Sequence, residues 1–445
     1  DHITSAEKYL QRVFFLETHP PMGKFLLALG EWLLRPNQGI DKRFLTRVDF
    51  LEHDVPEGFS FVGYRLVPAV LAFLNAPLLF LAFHKLSRHA LLAAGFTVPY
   101  VFDNALVVHS RGAMLDGIQI FFVLLAILCF LAALFRHRFD RRYLALAAAF
   151  GFFVGMAAMT KPNGLVVILL GLILAMKLRH WRKTVQAASA CCAAFVVPVV
   201  LGWYLHFCLG THFASSNRYH LSPRSVMIVE SGQAGRLAHF PRLFWEANRY
   251  IWLDNKGVPE LDECDEEENG SWWYLWPVGG RSINYRWFTP DGVHFQYLYL
   301  QCNPAVWFLV LASVVLATGF VLARIFGEHR FSSPERGLLM VGFLMLYVCY
   351  MAAMAWIEQE QVLYLYHYLL PLVFGFFLFA LCTLEVRRFF HWPVGRKARA
   401  GFLLVSVILI IATFFWYAPL TYYRPLAAGQ LRARALLDVW HLHQP

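Results

Sequence analysis

Long apolar blocks separated by short polar segments run through most of the chain. A helix needs about 20 residues to cross a hydrocarbon core of about 30 Å. Ten blocks reach or approach that length: residues 60–83, 89–107, 113–135, 143–159, 162–176, 187–207, 304–323, 337–356, 361–384 and 401–420. The pattern predicts an all-α polytopic membrane protein with about ten transmembrane helices.

Two local patterns refine this prediction. The segment Lys161-Pro162-Asn163-Gly164 separates two short apolar blocks, and Pro and Asn-Gly both favour a break, so two helices are expected to meet there. Residues 22–34 form an amphipathic run whose apolar face is interrupted by Lys24 and Glu31. That run resembles a helix lying along the membrane interface.

Composition supports the membrane assignment. Hydrophobic residues make up 58% of the 445 residues and charged residues 15%, whereas soluble domains carry about 25% charge. The net charge of +10 comes without any nucleic-acid recognition motif, so a nucleic-acid partner is not expected. The eight cysteines lack metal-ligand spacing. In an oxidising compartment two of Cys208, Cys264 and Cys302 can form a disulfide, and this alternative stays open.

The basic residues predict the orientation. Ten helices place alternate loops on opposite sides of the membrane. One set of loops carries eighteen Lys and Arg residues, whereas the short loops of the other set carry only two, Arg111 and Lys161. The basic set is expected to be cytoplasmic by the positive-inside rule. The eighteen are Lys85, Arg88, Arg136, Arg138, Arg141, Arg142, Lys177, Arg179, Arg182, Lys183, Arg324, Arg330, Arg336, Arg387, Arg388, Arg396, Lys397 and Arg399.

Four regions follow from this topology. Residues 1–59 are an outward first loop, residues 60–208 a first set of transmembrane helices, residues 209–303 a large outward loop, and residues 304–445 the C-terminal helices and tail. The large loop contains the acidic run 262–268, which is expected to be a solvated face rather than a cation site. Its many Trp and Tyr residues favour an interfacial belt, and stacking on sugar rings stays open.

Ionisable residues gather at the outward ends of the helices. Within a membrane such residues cost about 2.5–3.5 kcal/mol on insertion scales, so they indicate a functional site. They lie in four short segments, which include His19, Lys24, Asp103, Asn104, His109, Arg111, Asp116, Lys161 and His367.

If these segments converge, they form a cavity of mixed charge at the outer leaflet. Arg and Lys there can hold a lipid-linked phosphate that leaves as an anion, and a carboxylate can take a proton from an acceptor hydroxyl. Structural alternatives stay open for each residue. Arg111 can instead pair with Asp103 or Asp116, Lys161 can extend to the interface, and His367 can be a packing residue. The residues alone indicate an outward-facing transferase or a transporter.

Five ordered segments resemble the polyprenyl (dolichyl)-phosphate-mannose–protein O-mannosyltransferase family. They are THPPMGKFL (18–26), FDNALVVHSR (102–111) with MLD (114–116), the Trp276-Pro277 pair, LQCNPAVW (300–307) and YHYLLP (366–371). The resemblance implies a GT-C glycosyltransferase fold with about eleven transmembrane helices. The family's first helix is missing here, so about ten are expected in this chain.

The resemblance also implies the chemistry. It implies transfer of mannose from a polyprenyl phosphate to Ser or Thr hydroxyls of proteins, with inversion, an Asp base and no obligatory metal or other cofactor. Asp1 is the candidate base, although His2 follows it where the family has Glu, so Glu7, Glu17 and an upstream residue stay open. Arg111 and, less closely, Lys161 correspond to donor-phosphate ligands. The site wall is expected to contain His19, Lys24, Asp103, Asn104, Asp116, Trp276 and His367.

The large loop departs from the eukaryotic members of this family. Those members insert a β-trefoil domain there, for which this loop is too short. The sequence therefore resembles a short bacterial-type member, expected in the bacterial inner membrane, or in the ER membrane if eukaryotic. A lipid or glycan acceptor and a non-catalytic flippase for lipid-linked sugars are the alternatives. A charged path toward the cytoplasmic side would favour the flippase, and spans such as 401–420 contain none.

Overall fold

The computed structural model describes residues 2–46, 55–213, 220–262, 268–327, 329–389 and 391–442. Its α-helices are α1 (His2–Leu10), α2 (Met22–Leu34), α3 (Val62–Ser87), α4 (Ala90–Val101), α5 (Asn104–Ser110), α6 (Asp116–Leu134), α7 (Arg141–Thr160), α8 (Leu170–Leu178), α9 (Trp181–Leu209), α10 (Pro223–Glu230), α11 (Phe240–Lys256), α12 (Pro304–Ile325), α13 (Pro334–Ile357), α14 (Leu369–Glu385), α15 (Arg396–Thr421) and α16 (Ala428–Arg432). Turns of 3₁₀ helix cover Arg43–Thr46, Pro162–Leu169, Leu237–His239, Trp273–Val278, Leu365–Tyr368 and Asp438–Trp440.

Short β-strands lie outside the helices and pair segments that are distant in the sequence. They are β1 (Val13–Phe14), β2 (His212–Phe213), β3 (Ile283–Phe288), β4 (His294–Leu300), β5 (Arg388–Phe389), β6 (Trp392–Pro393) and β7 (Pro425–Ala427). The pair β1–β2 is parallel and ties the first loop to the segment after α9. Strand β4 lies between β3 and β7, antiparallel to both, so the tail after α15 is attached to the large loop.

Eight helices in the described residues are long and apolar enough to cross a membrane. The bent pair α4–α5, with 66° between its halves, and the shorter apolar helix Pro162–Leu178 account for the other two predicted spans. The all-α polytopic prediction is confirmed. The predicted break at Lys161 is confirmed too, because α7 ends at Thr160 and a 3₁₀ helix begins at Pro162.

The bend between α4 and α5 has a local cause. Asp103 caps the N-terminus of α5, where its side chain accepts a hydrogen bond from the backbone N–H of Leu106 at 2.9 Å. Its other carboxylate oxygen accepts a bond from the indole N–H of Trp307 at 2.8 Å. The block at 89–107, predicted as one continuous span, is therefore divided by a new helix start.

Helix α14 forms the centre of the bundle, and each of its residues is buried. Phe377 stacks on Phe343 with 4.2 Å between ring centroids and lies 5.0 Å from Phe83, so α3 and α13 pack against the same helix. The outer helices expose apolar side chains instead, such as Val405 at 65% and Val315 at 65%. Such exposed apolar side chains suit a lipid environment. The core of the bundle lies around α14, where the other helices pack against it.

Successive spans run in opposite directions, so their ends gather into two groups. We call the group formed by the starts of α3, α6 and α12 and by the ends of α5, α7 and α15 the site end. The opposite group, called the basic end, includes Lys177, whose ammonium group donates to the carbonyl of Ala133 at 3.2 Å and to that of Arg136 at 2.7 Å. The predicted basic loops that contain Lys177 and Arg136 accordingly lie together.

Helix α2 differs from its prediction in which face is buried. The helix itself is present, but Lys24 and Glu31 point into the protein, at 0% and 2% exposure, while Trp32 and Leu33 are more than half exposed. The two charges are tolerated because each has a partner: Glu17 lies 2.5 Å from Lys24, and Lys42 lies 2.9 Å from Glu31. The buried face of α2 therefore combines these two charged residues with Leu27 and Ala28, and other apolar residues of the helix are exposed.

Candidate active site

The centre of the candidate site is a buried carboxylate held by two basic side chains. Asp116 is the first residue of α6 and lies at the site end. One of its oxygens is 2.8 Å from Nζ of Lys161, and the other is 2.7 Å from Nε2 of His109. The three side chains are buried. We call them the Asp116 cluster.

Hydrogen-bonding rules assign the proton positions in this cluster. A carboxylate accepts only, so Nε2 of His109 must carry the proton that it shares with Asp116. The Nδ1 atom of a neutral His109 then accepts from the hydroxyl group of Tyr285, at 2.8 Å. Burial raises the pKa of Tyr285 well above its ordinary value, which keeps the phenol protonated and able to donate.

An aromatic side chain covers the cluster. The Tyr366 ring stacks on His109 with 5.3 Å between centroids, and Nζ of Lys161 lies 5.0 Å from the same ring centre. A cation over a ring face is attracted by the ring quadrupole. Tyr366 therefore holds the imidazole and the ammonium group on one side of Asp116.

The break after α7 explains why Lys161 reaches Asp116. Its backbone is extended, with φ −145° and ψ 135°, between α7 and the 3₁₀ helix. Gln119 donates to the Lys161 carbonyl at 3.0 Å and to the Asn163 side chain at 2.6 Å. Asn163 in turn donates to Tyr350 at 2.8 Å. The Pro-Asn-Gly turn is thereby fixed against α6 and α13.

The first loop brings a second group of charges to the same end. Lys24 is fully buried and pairs with Glu17, and Nδ1 of His2 lies 3.9 Å from the same carboxylate oxygen. His19 packs edge-on to His2, with 5.6 Å between the rings. Glu17 and His19 also line a small cavity with Trp203 and His206 of α9.

Electrostatics show that the two groups are close. Burial lowers the pKa of His19 well below its usual range, and Lys24 and Lys161 lower it further. Burial likewise lowers the pKa of His2, with Lys24, His19 and Lys161 acting in the same direction. Lys161 thus influences both His2 and His19, so this part of the first loop faces the Asp116 cluster.

A glycine permits this approach of the first loop. A Cβ atom at Gly23 would lie 2.6 Å from Cδ2 of Leu115 and 3.4 Å from the Thr160 side chain. Leu115 and Thr160 immediately precede Asp116 and Lys161. The start of α2 therefore packs directly against the side chains that precede Asp116 and Lys161.

The carboxylates proposed as bases lie in different places. Asp1 lies outside the described residues. Glu7 is buried in a separate network, where it accepts from the Tyr64 hydroxyl and from Gln11 at 3.0 Å and lies 3.6 Å from Lys42. Glu17 lies within the site but is paired with Lys24.

Arg111 lies beside the cluster on the exposed surface at the C-terminus of α5. Its guanidinium donates to the backbone carbonyl of Thr421 at 2.9 Å and lies 5.3 Å from the Tyr422 ring centre. Within the described residues it pairs with neither Asp103 nor Asp116, so those alternatives are not borne out. The alternative that Lys161 extends to the interface is wrong, because Lys161 is 4% exposed and bonded to Asp116.

The other expected site residues fall into two groups. Asp103 and Asn104 are 0% exposed and hold helix ends: Asn104 donates to the Thr421 hydroxyl at 2.7 Å, and Asp103 caps α5. His367 packs with its ring 6.0 Å from the buried Trp276, and its Nδ1 lies 3.0 Å from the Tyr364 carbonyl. His367 thus packs against Trp276 and lies next to Tyr366.

Three contributors were given no role in the site from the sequence, although His109 was named among the ionisable residues at the helix ends. His109 and Tyr366 lie inside the recognised motifs, so their polarity within apolar segments was an available signal. Tyr285 lies 176 positions from its partner His109, on a strand of the large loop, and no pattern in the sequence links the two.

In the part of the chain that the structure describes, no group of three or more His, Cys, Asp or Glu side chains is placed to hold a metal ion. Cys208 and Cys302 are free thiols, and Cys264 lies outside the described residues. The acidic run is described only at Asp262 and Glu268.

The histidines of the first loop predict a dependence of stability on pH. The unfolded chain takes up a proton on each histidine below pH about 6.5, whereas folded His2 and His19, with lowered pKa values, do not. Stability is therefore expected to fall as the pH drops below about 6.5, by up to about 1.4 kcal/mol per pH unit for each histidine. Thermal unfolding from pH 7.5 to 5 measures this slope.

His19→Gln is expected to flatten the slope, because it removes one of the two groups. His180→Gln is the matched control, since His180 is exposed at the basic end. An equal slope in His19→Gln and in the unsubstituted protein would contradict the prediction.

Comparison with solved structures identifies the class of fold. The described helices superpose on the Saccharomyces cerevisiae protein O-mannosyltransferase Pmt1-Pmt2 complex bound to the sugar donor with a TM-score of 0.78. The match covers 99% of this chain and 88% of that one at 14% sequence identity. The fold is that of a GT-C glycosyltransferase, as the resemblance predicted.

Sequence comparison identifies the family. Two protein-family models match this sequence. The family model "Dolichyl-phosphate-mannose-protein mannosyltransferase" matches residues 2–213, and the family model "C-terminal four TMM region of protein-O-mannosyltransferase" matches residues 240–440. This chain belongs to the protein O-mannosyltransferase family.

Curated relatives match over shorter segments. Protein O-mannosyl-transferase 1 of Rattus norvegicus is 36% identical over 124 residues, which are 28% of this chain and 16% of that protein. Dolichyl-phosphate-mannose–protein mannosyltransferase 4 of Candida albicans is 26% identical over 245 residues, 51% of this chain and 31% of that protein. These matches thus span less than a third of either relative.

Proposed function

We propose that this protein transfers mannose from a polyprenyl-phosphate donor to Ser or Thr hydroxyls of acceptor proteins, with inversion. The observation that carries this proposal is the gathering of charged side chains at the site end of a protein O-mannosyltransferase fold. Asp116, Lys161, Glu17 and Lys24 all lie there and all are paired. Fixed charges of both signs suit a reaction in which a hydroxyl loses a proton and a phosphate leaves as an anion.

The proposed base is Asp1, and the state of the other carboxylates supports this assignment. Asp116 is bonded to Lys161 and His109, Glu17 to Lys24, and Glu7 to Tyr64. A carboxylate already neutralised by a close cation is a poor proton acceptor. Asp1 directly precedes His2, the residue whose ring lies beside Glu17 and His19.

The proposed step is a single displacement at the anomeric carbon. The acceptor oxygen forms the new C–O bond while the bond between that carbon and the donor phosphate oxygen breaks. The hydroxyl proton goes to Asp1, and the electron pair of the broken bond leaves with the polyprenyl phosphate. In-line attack by one nucleophile inverts the configuration at that carbon.

Cations beside the cluster would stabilise the leaving phosphate. Arg111 offers a planar guanidinium on the surface at the end of α5, where a lipid-linked phosphate can arrive from the bilayer. Lys161 uses one of its three N–H donors on Asp116. His19, Lys24, Asp103, Asn104, Trp276 and His367 complete the proposed wall. We propose no obligatory metal or other cofactor.

The orientation follows from the same charges. The basic end is proposed to face the cytoplasm, so the site end faces the periplasm or the lumen. For a short member of the family we propose the bacterial inner membrane. The donor is then a polyprenyl-phosphate sugar in the outer leaflet, and the acceptor is a protein on that side.

The transfer reaction itself can be measured. The full chain in liposomes is given radiolabelled polyprenyl-phosphate mannose and a Ser/Thr-rich peptide. Label on the peptide is the expected result. Label on a lipid or glycan would overturn the protein acceptor, and an unconsumed donor that is bound and moved across the bilayer would overturn the enzyme in favour of a flippase.

Arg111→Ala is expected to weaken donor use, because a hydrogen bond between charged groups contributes about 1.5–3 kcal/mol. The KM for the donor should rise about 10- to 150-fold, with the KM for the peptide unchanged. Arg35→Ala is the matched control, since Arg35 is also an exposed arginine over an aromatic ring, at 5.8 Å from the Trp32 centre. Equal effects of the two substitutions would contradict the assignment.

A further inference from the structure

A groove lies between α11 and the turn that leads into α10, outside the Asp116 cluster. Its volume is about 620 Å³. The side chains that matter here belong to α11 and to the turn before α10. They are His220, Ser222, Trp245, Arg249, Tyr250 and Asp254, and we call the space the α10–α11 groove.

The walls of the groove are held in place. The Glu246 carboxylate accepts hydrogen bonds from the Ser222 hydroxyl at 2.8 Å and from the Ser225 hydroxyl at 2.9 Å, which joins α11 to α10. On its buried side α11 packs on the end of α9, with Phe244 6.0 Å from Trp203 and Phe240 5.8 Å from Phe207. These contacts fix the position of α11, so the groove is part of the folded structure.

The groove adjoins the proposed active site through α11. Ala247, on the buried side of this helix, lines the small cavity that contains Glu17 and His19. Near the C-terminal end of α11, Asn255 donates to the carbonyl of Thr18 at 3.4 Å. Asp254 and Glu17 both add to the effect of burial in raising the pKa of Tyr250, to about 12. One helix therefore separates the groove from the first-loop carboxylate.

The chemistry of the groove differs from that of the donor site. Asp254 and Glu246 bring two carboxylates, which disfavour an anionic phosphate. Arg249 and His220 add donors, so the lining offers both donors and acceptors, as the backbone of an extended peptide requires. Trp245 is 70% exposed and presents a large, rigid surface on which a side chain can pack.

We propose that the α10–α11 groove binds an extended peptide segment of the acceptor protein, next to the residue that receives the sugar. This inference rests on the proposed function, since it assigns the acceptor side of the same reaction. The hydroxyl of an acceptor protein lies in a chain that continues in both directions, and an open groove accommodates such a chain. A free monosaccharide is much smaller than this volume and would leave most of the groove empty.

The kinetic test compares two tryptophans of the same helix. Trp245→Ala, alone and with Arg249→Ala, is expected to raise the KM for a long Ser/Thr peptide about tenfold or more. The KM for the donor should not change. Trp252→Ala is the control, because Trp252 is also exposed, at 60%, but does not line the groove. An equal rise in the control, or no rise in Trp245→Ala, would overturn the proposal.

A binding test separates this inference from the proposed function. A Ser/Thr peptide with photoreactive residues at its ends is irradiated with the full chain, and the cross-linked residues are mapped. Cross-links at 220–254 that weaken in Trp245→Ala support the groove, even where no sugar is transferred. Transfer to the peptide with cross-links only elsewhere overturns the groove and leaves the proposed function standing.

Discussion

Asp116→Asn is expected to abolish transfer and to destabilise the protein. The substitution leaves Lys161, which is 4% exposed, without the carboxylate that lies 2.8 Å from its ammonium group. Removing one partner of a buried ion pair costs about 3–5 kcal/mol, because the remaining charge is uncompensated. Loss of the thermal transition and loss of labelled peptide are the two readouts.

A surface pair provides the control for this substitution. Arg136 and Asp140 also form an ion pair, but at the basic end and in contact with solvent. Arg136→Gln is expected to change stability little, because solvent screens an exposed ion pair, and to leave transfer intact. Equal losses in Asp116→Asn and Arg136→Gln would contradict the buried-pair explanation.

A double substitution separates stability from chemistry. Asp116→Asn with Lys161→Met removes both charges, so most of the stability should return. Transfer should stay low, because the proposed phosphate ligand Lys161 is gone as well. Recovery of full transfer in the double variant would show that neither side chain has a role in the reaction.

Asp1→Asn is expected to lower kcat by about 10²–10⁴ without a change in thermal stability. A positioned general base contributes about that much, and asparagine cannot accept the proton. Donor binding should be retained, since the substitution leaves the cations in place. The measurement is kcat for peptide mannosylation, with donor affinity and thermal unfolding determined in parallel.

Glu7→Gln is expected to show the reverse of Asp1→Asn, with lower stability and an unchanged kcat. Glu7 is 3% exposed and accepts from Tyr64 in the network that also contains Glu31 and Lys42. Its neutralisation should lower stability, because the charge balance around Lys42 is lost, while the folded fraction keeps its kcat. Full activity in Asp1→Asn, together with loss of kcat in Glu17→Gln, would move the base to Glu17.

Much of the fold could be predicted because its signals are local. Span length follows from the thickness of the bilayer, and the break before Pro162 follows from the missing donor of proline. The burial of Lys24 could not be predicted, since it depends on Glu17, a partner outside the amphipathic pattern of α2. The bend at Asp103 was missed because its apolar neighbours read as one continuous span.

The candidate site was only partly predictable for a similar reason. Asp116 and Lys161 were visible as charges at helix ends, and their pairing needed the packing of α6 against α7. Tyr285 completes the cluster from a β-strand far along the chain, where nothing in the local sequence distinguishes it from the other tyrosines of the large loop. Long-range pairing of this kind is a property of the folded chain alone.

The stoichiometry of transfer tests the central claim most directly. Full-length protein in liposomes is supplied with polyprenyl-phosphate mannose and a Ser/Thr peptide, and the released polyprenyl phosphate and the mannosylated peptide are quantified together. The proposed function predicts one mannosyl-peptide for each polyprenyl phosphate released. Release of polyprenyl phosphate with free mannose, or with mannose on a lipid or glycan instead of the peptide, would contradict it.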